Sequence, residues 1–237
     1  MTLTRQHFLE TADHTLLAPG TTRAELEEFV LRAREIGVSR VCVSPTQLPI
    51  APEVLGDLEV VTVVGFPSGE HTASVKAAEA AEAVANGAHE IDMVLRRGPV
   101  RAAASGAGDW SEVEREIREV RAACAGRALK VIIESAALDD AEIAGACRAA
   151  EAAGADFVKT STGFDPAGGA SVEAVRLMAE TVGGRLGVKA SGGIRTAAAV
   201  RGMHEAGATR FGVSGTAAIV SGWDSGAADG GSAPQSY

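Results

Sequence analysis

The stretch that decides this fold and its chemistry is Phe157-Val-Lys-Thr-Ser-Thr-Gly-Phe164. A short apolar strand delivers Lys159 and then passes into a loop of small polar residues and glycine. The chain has four lysines against a large excess of arginine, and a second lysine, Lys189, ends a similar apolar run. Lysine can lose its proton on burial, whereas arginine stays protonated. We interpret Lys159 as a candidate covalent nucleophile and Lys189 as the cation that tunes it; a buried lysine paired with a carboxylate is the alternative for either.

Strand-like and helix-like segments alternate on both sides of this stretch. Apolar runs at residues 58–65 and 129–133 alternate with helical segments at residues 73–86 and 139–153. Eight strand-then-helix units are present if a short first strand at residues 13–17 and a short final helix are counted. Such alternation favours a parallel sheet, and eight units in this length predict an α/β fold of the closed (β/α)8 TIM barrel type. An open doubly wound sheet is the alternative, because periodicity alone does not show closure.

A weak internal repeat supports the barrel. Glycine followed by a small residue precedes the predicted strands two, four, six and eight. We interpret each glycine as a helix C-cap that turns directly into the next strand. The four repeats are Gly37-Val38, Gly87-Ala88, Gly154-Ala155 and Gly207-Ala208.

Composition sets the class of protein. A length of 237 residues fits one domain, and 46% hydrophobic with 22% charged residues is typical of a soluble globular chain. The net charge of -9 argues against general affinity for nucleic acid or an anionic membrane. Three scattered cysteines predict no disulfide framework, and no apolar run is long enough to span a bilayer. We therefore expect a cytoplasmic protein.

The predicted domain organisation is a barrel and a tail. Residues 1–222 are predicted to form the (β/α)8 barrel, with a short N-terminal helix before the first strand. Residues 223–237 are rich in Gly, Ala and Ser and are predicted to form a mobile C-terminal tail. That tail ends in Tyr237, which is the single tyrosine of the chain.

Three charged residues near the predicted strand ends form a coherent set. In a (β/α)8 barrel the C-terminal ends of the strands share one mouth, and Asp92, Lys159 and Lys189 are expected there. An amine attacks a carbonyl only when unprotonated, and lowering a lysine pKa from about 10.4 to about 7 takes roughly 4.6 kcal/mol. We expect burial beside the ammonium of Lys189 to supply this free energy, with Asp92 balancing Lys189 and relaying protons. A plain salt bridge is the alternative for Asp92.

Other polar residues receive a structural interpretation. Lys130 lies in mid-strand, and we expect it in a polar layer low in the barrel, paired with Glu90. Cys42 is interpreted as a buried thiol. The five histidines show no metal-ligand spacing, so no metal and no cofactor is predicted, and His14 is the one expected near the mouth.

Glycine-rich loops follow the last three predicted strands and form a second candidate site. Loops at this place in such barrels, together with a short helix N-terminus, usually bind phosphate through backbone N–H groups. Ser214 is expected to add a hydroxyl group and Arg195 a positive charge. The candidate phosphate-binding residues are Gly163, Gly192, Gly193, Arg195, Gly212, Ser214 and Gly215.

Seven segments of the chain resemble deoxyribose-phosphate aldolase. The resemblance covers residues 13–215, and its two lysine motifs are highly specific. It implies a class I aldolase barrel that reversibly cleaves 2-deoxy-D-ribose 5-phosphate into D-glyceraldehyde 3-phosphate and acetaldehyde. The segments are DHTLL (13–17), VGFPSG (64–69), EIDMV (90–94), LKVIIE (129–134), FVKTSTGF (157–164), VKASGGIR (188–195) and RFGVSG (210–215).

The resemblance also implies roles for individual catalytic residues. The lysine of the family's KTSTG motif forms a Schiff base with the substrate, which points to Lys159. The lysine of the KASGG motif perturbs it, which points to Lys189, and the aspartate of the EIDMV motif relays protons, which points to Asp92. Some members end in a tyrosine that assists protonation of the enamine carbon, and Tyr237 occupies that place.

Substrate contacts follow from the same resemblance. The aspartate of the DxT motif contacts a substrate hydroxyl in that family, which points to Asp13, and Thr15 and Thr160 are grouped with it. Phe164 stands where some relatives carry a lysine, so an extra charge on the phosphate from that position is in doubt. The expected partners are a phosphosugar and an aldehyde, and the exposed helix faces leave room for a homodimer.

Three other functions remain open from the sequence. One is another Schiff-base aldolase or a transaldolase-like barrel that acts on a different phosphosugar. A second is a phosphate-binding isomerase with Asp92 and Glu134 as acid and base and purely electrostatic lysines. A third is an inactive barrel that binds sugar phosphate as a regulator. Only the aldolases require a covalent adduct on Lys159.

Overall fold

The computed structural model of the chain describes residues 3–224. Eight parallel strands pair in chain order, and the first pairs with the last, so the sheet closes into a barrel. The closed barrel predicted from the sequence is confirmed, and the open doubly wound alternative is wrong. The strands are β1 (Ala12–Leu16), β2 (Arg40–Val43), β3 (Glu59–Val64), β4 (Glu90–Val94), β5 (Ala128–Ile132), β6 (Phe157–Lys159), β7 (Gly187–Ser191) and β8 (Arg210–Val213).

Ten α-helices precede, connect or follow the strands in this part of the chain. They are α1 (Arg5–Thr11), α2 (Arg23–Ile36), α3 (Pro52–Leu55), α4 (Ala73–Ala85), α5 (Arg97–Ala104), α6 (Trp110–Ala123), α7 (Asp140–Ala152), α8 (Val172–Val182), α9 (Ala197–Glu205) and α10 (Thr216–Ser221).

Local sequence signals explain where the helices begin and end. A capping box begins α2, since the Thr22 side chain accepts from the Glu25 backbone N–H and the Glu25 carboxylate accepts from the backbone N–H of Thr22. The glycines of the internal repeat all have positive φ, which an L-residue rarely adopts, so they turn the chain from helix to strand as predicted. Their φ angles are 84° at Gly37, 98° at Gly87, 81° at Gly154 and 112° at Gly207.

The structure also contains elements that the sequence analysis lacked. Helix α5 follows β4 directly, although its beginning, Arg97-Gly-Pro, has the composition of a turn. Proline is tolerated in the first turn of a helix because its missing N–H would have no intrahelical acceptor there. The four-residue helix α3 was missed because it is a single turn that starts with Pro52.

The segment after β8 packs against the beginning of the chain. Trp223, which the sequence analysis assigned to the tail, is buried, and its ring stacks on Phe8 at a centroid distance of 5.2 Å. The guanidinium of Arg201 lies 4.8 Å from the centre of the Trp223 ring. Residues 225–237, with Tyr237, lie outside the described residues, so the mobile tail stays a prediction.

A buried ion pair joins the helix layer to the end of β4. Lys76 of α4 is fully buried and donates to Glu116 Oε1 at 2.5 Å and to the Val94 carbonyl at 2.7 Å. Arg96 donates to the second oxygen of Glu116 at 2.8 Å. Lys76 is therefore a structural lysine with its own counter-ion.

Over residues 3–224, the helices are too short or too polar to cross a bilayer.

Close packing between α6 and α7 depends on Gly145, and we expect Gly145→Ala to destabilise the fold. An added Cβ would lie 2.1 Å from Cη2 of Trp110, so the indole would have to move. We expect the free energy of unfolding to fall by about 1–3 kcal/mol, as is typical of overpacking, measured by urea denaturation.

The matched control is Gly98→Ala in α5, where an added Cβ meets no atom within 4 Å. Because alanine favours helix more than glycine does, this variant is expected to be neutral or to gain up to about 1 kcal/mol. An equal loss of stability in the two variants would contradict the packing explanation.

Candidate active site

The strand register places four charged side chains inside the barrel. Lys159 of β6 pairs with Lys189 of β7, and Asp92 of β4 pairs with Lys130 of β5. Paired residues of neighbouring strands point to the same face of the sheet. Lys159 is the last residue of its strand, whereas Asp92 and Lys189 lie at mid-strand, deeper than the strand ends where the sequence analysis put them.

The carboxylate of Asp92 accepts hydrogen bonds from three lysines. Its Oδ2 accepts from Lys159 Nζ at 2.8 Å and from Lys189 Nζ at 2.7 Å, and its Oδ1 accepts from Lys130 Nζ at 2.8 Å. The Lys159 side chain is 4% exposed, and those of the other three residues are fully buried. The predicted association of Lys159, Lys189 and Asp92 is therefore present, and Lys159 is the member that reaches solvent.

A second carboxylate, Asp13 of β1, lies on the other side of Lys189. Lys189 Nζ donates to Asp13 Oδ2, and Arg210 Nη1 donates to Asp13 Oδ1 at 2.9 Å. Asp13 is fully buried, so both of its oxygens are engaged by cations of the barrel interior. The substrate contact that the resemblance implies for Asp13 stays a prediction.

A third carboxylate, Glu90, closes the network on the side away from Lys159. Lys130 Nζ lies 2.5 Å from Glu90 Oε2, so the predicted pairing of these residues is confirmed. Arg210 Nη1 donates to Glu90 Oε2 at 3.1 Å, and Arg40 Nε donates to Oε1 at 3.2 Å. Because Lys130 also donates to Asp92, the polar layer and the candidate catalytic set are one network, which the sequence analysis did not foresee.

Burial and charge change the pKa values of the two paired lysines in opposite directions. Burial, with a smaller contribution from the ammonium of Lys189, lowers the pKa of Lys159, although Asp92 opposes this change. Burial also acts against the charge of Lys189, but Asp13 and Asp92 together raise its pKa above the ordinary value. Lys159 is thus the amine that loses its proton more readily, and Lys189 remains an ammonium.

The carboxylate of Asp92 stays ionised. Burial acts to raise the pKa of Asp92, but Lys130, Lys159 and Lys189 hold it well below its usual value. Cys42 of β2 faces the same groups, and burial raises the pKa of its thiol, so it is neutral. It was correctly interpreted as a buried thiol.

A pocket of about 80 Å³ lies between the loops after β6, β7 and β8. Six of the seven candidate phosphate-binding residues line it: Gly163, Gly192, Gly193, Arg195, Gly212 and Ser214. Gly215, the seventh, is the N-cap of α10. The glycine-rich loops therefore share one cavity, as the sequence predicted.

The pocket also contains residues that the sequence analysis missed. Asp165, Gly168 and Gly169 continue the loop after β6 and line it as well. A Cβ at Gly169 would lie 2.3 Å from the Gly192 carbonyl oxygen, so only glycine allows the two loops to touch. Glycines spaced along this loop were the available signal.

The two threonines grouped with the substrate contacts are bound to the protein itself. Thr160 is buried, and its hydroxyl donates to the Ser191 carbonyl and accepts from the Ser191 N–H, both at 3.0 Å. These bonds join the strands that carry the two lysines. The Thr15 hydroxyl donates to the Asp13 carbonyl at 2.8 Å.

An apolar cluster lies inside the barrel, separate from the main core. It consists of Leu17, Cys42, Val61 and Val63, and Phe66 and Phe164 pack against it. The two phenylalanine rings meet edge to face with centroids 5.2 Å apart. Phe164 and Phe66 therefore form an apolar wall against this cluster.

Glu134 lies outside the hydrogen-bond network of Asp92. The Thr162 hydroxyl and N–H donate to its carboxylate, the hydroxyl at 2.6 Å. Burial raises its pKa, and its backbone φ is 59°, the single positive value among the described non-glycine residues. Glu134 lines a cleft with Arg97 and Asp165, which form an ion pair of 3.0 Å. The acid–base pair of the isomerase alternative is thus divided between two surroundings.

The remaining predicted residues lie away from these contacts. His14 is buried, stacks on Phe29 at 4.3 Å and shares a 2.8 Å hydrogen bond with the Thr216 hydroxyl. Burial and Arg32 lower its pKa to about 4. No cluster of His, Cys, Asp and Glu suited to a metal ion occurs in residues 3–224. Tyr237 lies beyond the described part of the chain.

Known proteins are similar to this chain in sequence. The profile of a family described as DeoC/LacD family aldolase matches residues 8–226. Deoxyribose-phosphate aldolase of Kocuria rhizophila is 56% identical over 224 residues, which are 94% of this chain and 100% of that protein.

Solved structures give the same result. One titled "QR15, an Aldolase" has a TM-score of 0.83 and 39% identity over 90% of this chain and 94% of its own. A structure titled as the unique tetrameric structure of deoxyribose phosphate aldolase from Aeropyrum pernix has a TM-score of 0.81 and 29% identity, over 94% and 93% of the two chains. This chain belongs to the DeoC/LacD family of aldolases.

Proposed function

We propose that this chain is a class I aldolase that reversibly cleaves 2-deoxy-D-ribose 5-phosphate into D-glyceraldehyde 3-phosphate and acetaldehyde. The observation that carries the proposal is the sharing of Asp92 Oδ2 by Lys159 and Lys189, which puts a nucleophilic amine beside a permanent ammonium. The relatives named as deoxyribose-phosphate aldolases supply the substrate.

The first half of the reaction forms an iminium ion. Neutral Lys159 Nζ attacks C1 of the open-chain aldehyde, and the carbinolamine loses water with the help of a proton held between Lys189 and Asp92. The iminium then withdraws the electrons of the C2–C3 bond, because acetaldehyde contains C1 and C2 of the sugar. C3 becomes the aldehyde carbon of glyceraldehyde 3-phosphate as its hydroxyl loses a proton.

The second half returns the amine. The remaining enamine takes a proton at C2, and water hydrolyses the resulting iminium to acetaldehyde and free Lys159. The iminium polarises the substrate, so the proposed chemistry needs neither a metal nor a cofactor.

Tyr237 is the proposed proton donor to the enamine carbon, on the basis of the family resemblance. Deletion of this residue is then expected to slow proton exchange at the methyl group of acetaldehyde.

The glycine-lined pocket and the apolar cluster suit the two ends of the substrate. The glycine-lined pocket offers backbone N–H groups, Ser214 and Arg195 to the phosphate. The apolar cluster with Phe66 and Phe164 suits the methyl group of acetaldehyde.

Assembly as a homodimer and a cytoplasmic location are also parts of this proposal.

Acetaldehyde with borohydride is expected to label Lys159, because the reductant converts the Schiff base into a stable secondary amine. The adduct is measured by peptide mass mapping. Lys159→Met should abolish it, whereas Lys76→Met, which removes another buried lysine, should retain it. An unlabelled Lys159 in the native protein would favour the isomerase or the regulator.

Lys189→Met is expected to slow adduct formation much more at pH 7 than at pH 10. Removal of this ammonium raises the pKa of Lys159, so less of the amine is neutral at pH 7, whereas a larger share is neutral at pH 10 in either protein. Adduct formed in a fixed time is measured at both pH values. An equal loss at both would exclude a tuning role for Lys189.

Arg195→Gln is expected to raise KM for the phosphorylated sugar by about tenfold, the usual effect of losing a charge-assisted hydrogen bond of roughly 1.5 kcal/mol. The control is the same variant with 2-deoxyribose, which has no phosphate and should show little change. A similar loss with both sugars would place Arg195 outside the phosphate site.

A further inference from the structure

The formal charges of the barrel interior balance only when Lys159 is neutral. Within residues 3–224, the buried network holds three carboxylates, Asp13, Glu90 and Asp92. The cations that contact them from inside the barrel are Lys130, Lys159, Lys189 and Arg210. With Lys159 neutral the network has three charges of each sign, and with Lys159 protonated it carries one excess positive charge.

We propose that Lys130 and Glu90 are positioning residues that fix this charge balance. Lys130 and Lys189 together neutralise Asp92, so no negative charge is left over to stabilise a protonated Lys159. The proposal rests on the function of Lys159 proposed above. It assigns a task in the reaction to two residues that act through Asp92, Lys130 directly and Glu90 through Lys130.

Lys130 holds the orientation of Asp92. It is fully buried and donates to Oδ1, the oxygen that neither of the other lysines contacts. The opposite oxygen, Oδ2, is thereby directed at both Lys159 and Lys189. Without Lys130, the Asp92 carboxylate would be free to turn and would have negative charge to spare for a protonated Lys159.

Glu90 in turn holds Lys130 and Arg210. Its side chain is 9% exposed and lies against Lys130 and Arg210. Arg40, the remaining cation at this carboxylate, also contacts Glu59 Oε2 at 2.8 Å, so the Arg40–Glu59 pair adds no net charge. Glu90 thus supplies the third negative charge that the three permanent cations require.

The other groups that face Lys159 do not alter this count. Cys42 of β2 is a neutral thiol, and Asp13 of β1 is shared between Lys189 and Arg210. A buried net charge is costly, so the interior favours the neutral form of Lys159. Burial and Lys189 lower the pKa of Lys159 in agreement with this balance.

The proposal predicts shifts of opposite sign in two variants. Lys130→Met removes a positive charge near Asp92, so Lys159 is expected to gain a proton more readily and the pH midpoint of its reaction to rise by about one unit. At pH values below the midpoint, that shift slows adduct formation about tenfold. Glu90→Gln removes a negative charge, and the midpoint is expected to fall, by less because Glu90 does not contact Asp92.

The experiment measures the rate of reductive labelling of Lys159 by acetaldehyde and cyanoborohydride between pH 5 and pH 10. Acetaldehyde has no titrating group, so the midpoint belongs to the protein. Lys76→Met is the matched control for loss of a buried lysine and is expected to keep the wild-type midpoint. Lys130→Arg keeps the charge and should restore the midpoint, and Lys130→Gln repeats the charge change if the methionine variant does not fold.

The outcomes separate this inference from the proposed function. Opposite shifts in the Lys130 and Glu90 variants support it. Two results would overturn the inference and leave the aldolase proposal intact, provided that wild-type Lys159 is labelled. One is an unchanged pH midpoint in the neutral Lys130 variants, and the other is a midpoint shift of the same sign in the Lys130 and Glu90 variants. Failure to label wild-type Lys159 removes both.

Discussion

The shared carboxylate of Asp92 is the interaction on which the rest of the site depends. One negative charge accepts hydrogen bonds from Lys130, Lys159 and Lys189 in the buried interior of the barrel. Three ammonium groups around one carboxylate are stable only if further acids lie nearby or if one amine gives up its proton. Asp13 and Glu90 supply two further negative charges, but Arg210 adds a fourth positive charge, so the remaining imbalance falls on Lys159, the lysine nearest the solvent.

Barrel closure makes this arrangement possible. Asp13 of β1 reaches Lys189 of β7 across β8, a contact that exists because the first strand pairs with the last. The Thr160–Ser191 hydrogen bonds keep β6 and β7 in the register that sets the two lysines side by side. An open sheet with the same strand sequences would separate Asp13 from Lys189 and leave both buried charges without partners.

Much of the fold and the paired lysines could be predicted because they leave local signals. The alternation of apolar runs with helical segments, the repeat glycines and the lysine at the end of β6 are visible without any three-dimensional information. The second partner of Lys130 could not be predicted, because it depends on the register between β4 and β5. The single-turn helix α3 and the proline-containing start of α5 carry signals that resemble turns.

The apolar wall formed by Phe66 and Phe164 has a consequence for how such an enzyme diversifies. These rings pack on the cluster of Leu17, Cys42, Val61 and Val63, and neither ring is a member of the ion-pair network. Evolution, or a protein engineer, can therefore reshape the room available to an aldehyde by exchanging one aromatic residue for a smaller one, without rewiring a single buried charge. In this barrel, the residues that set the space for a substrate are different from the residues that carry the buried charges.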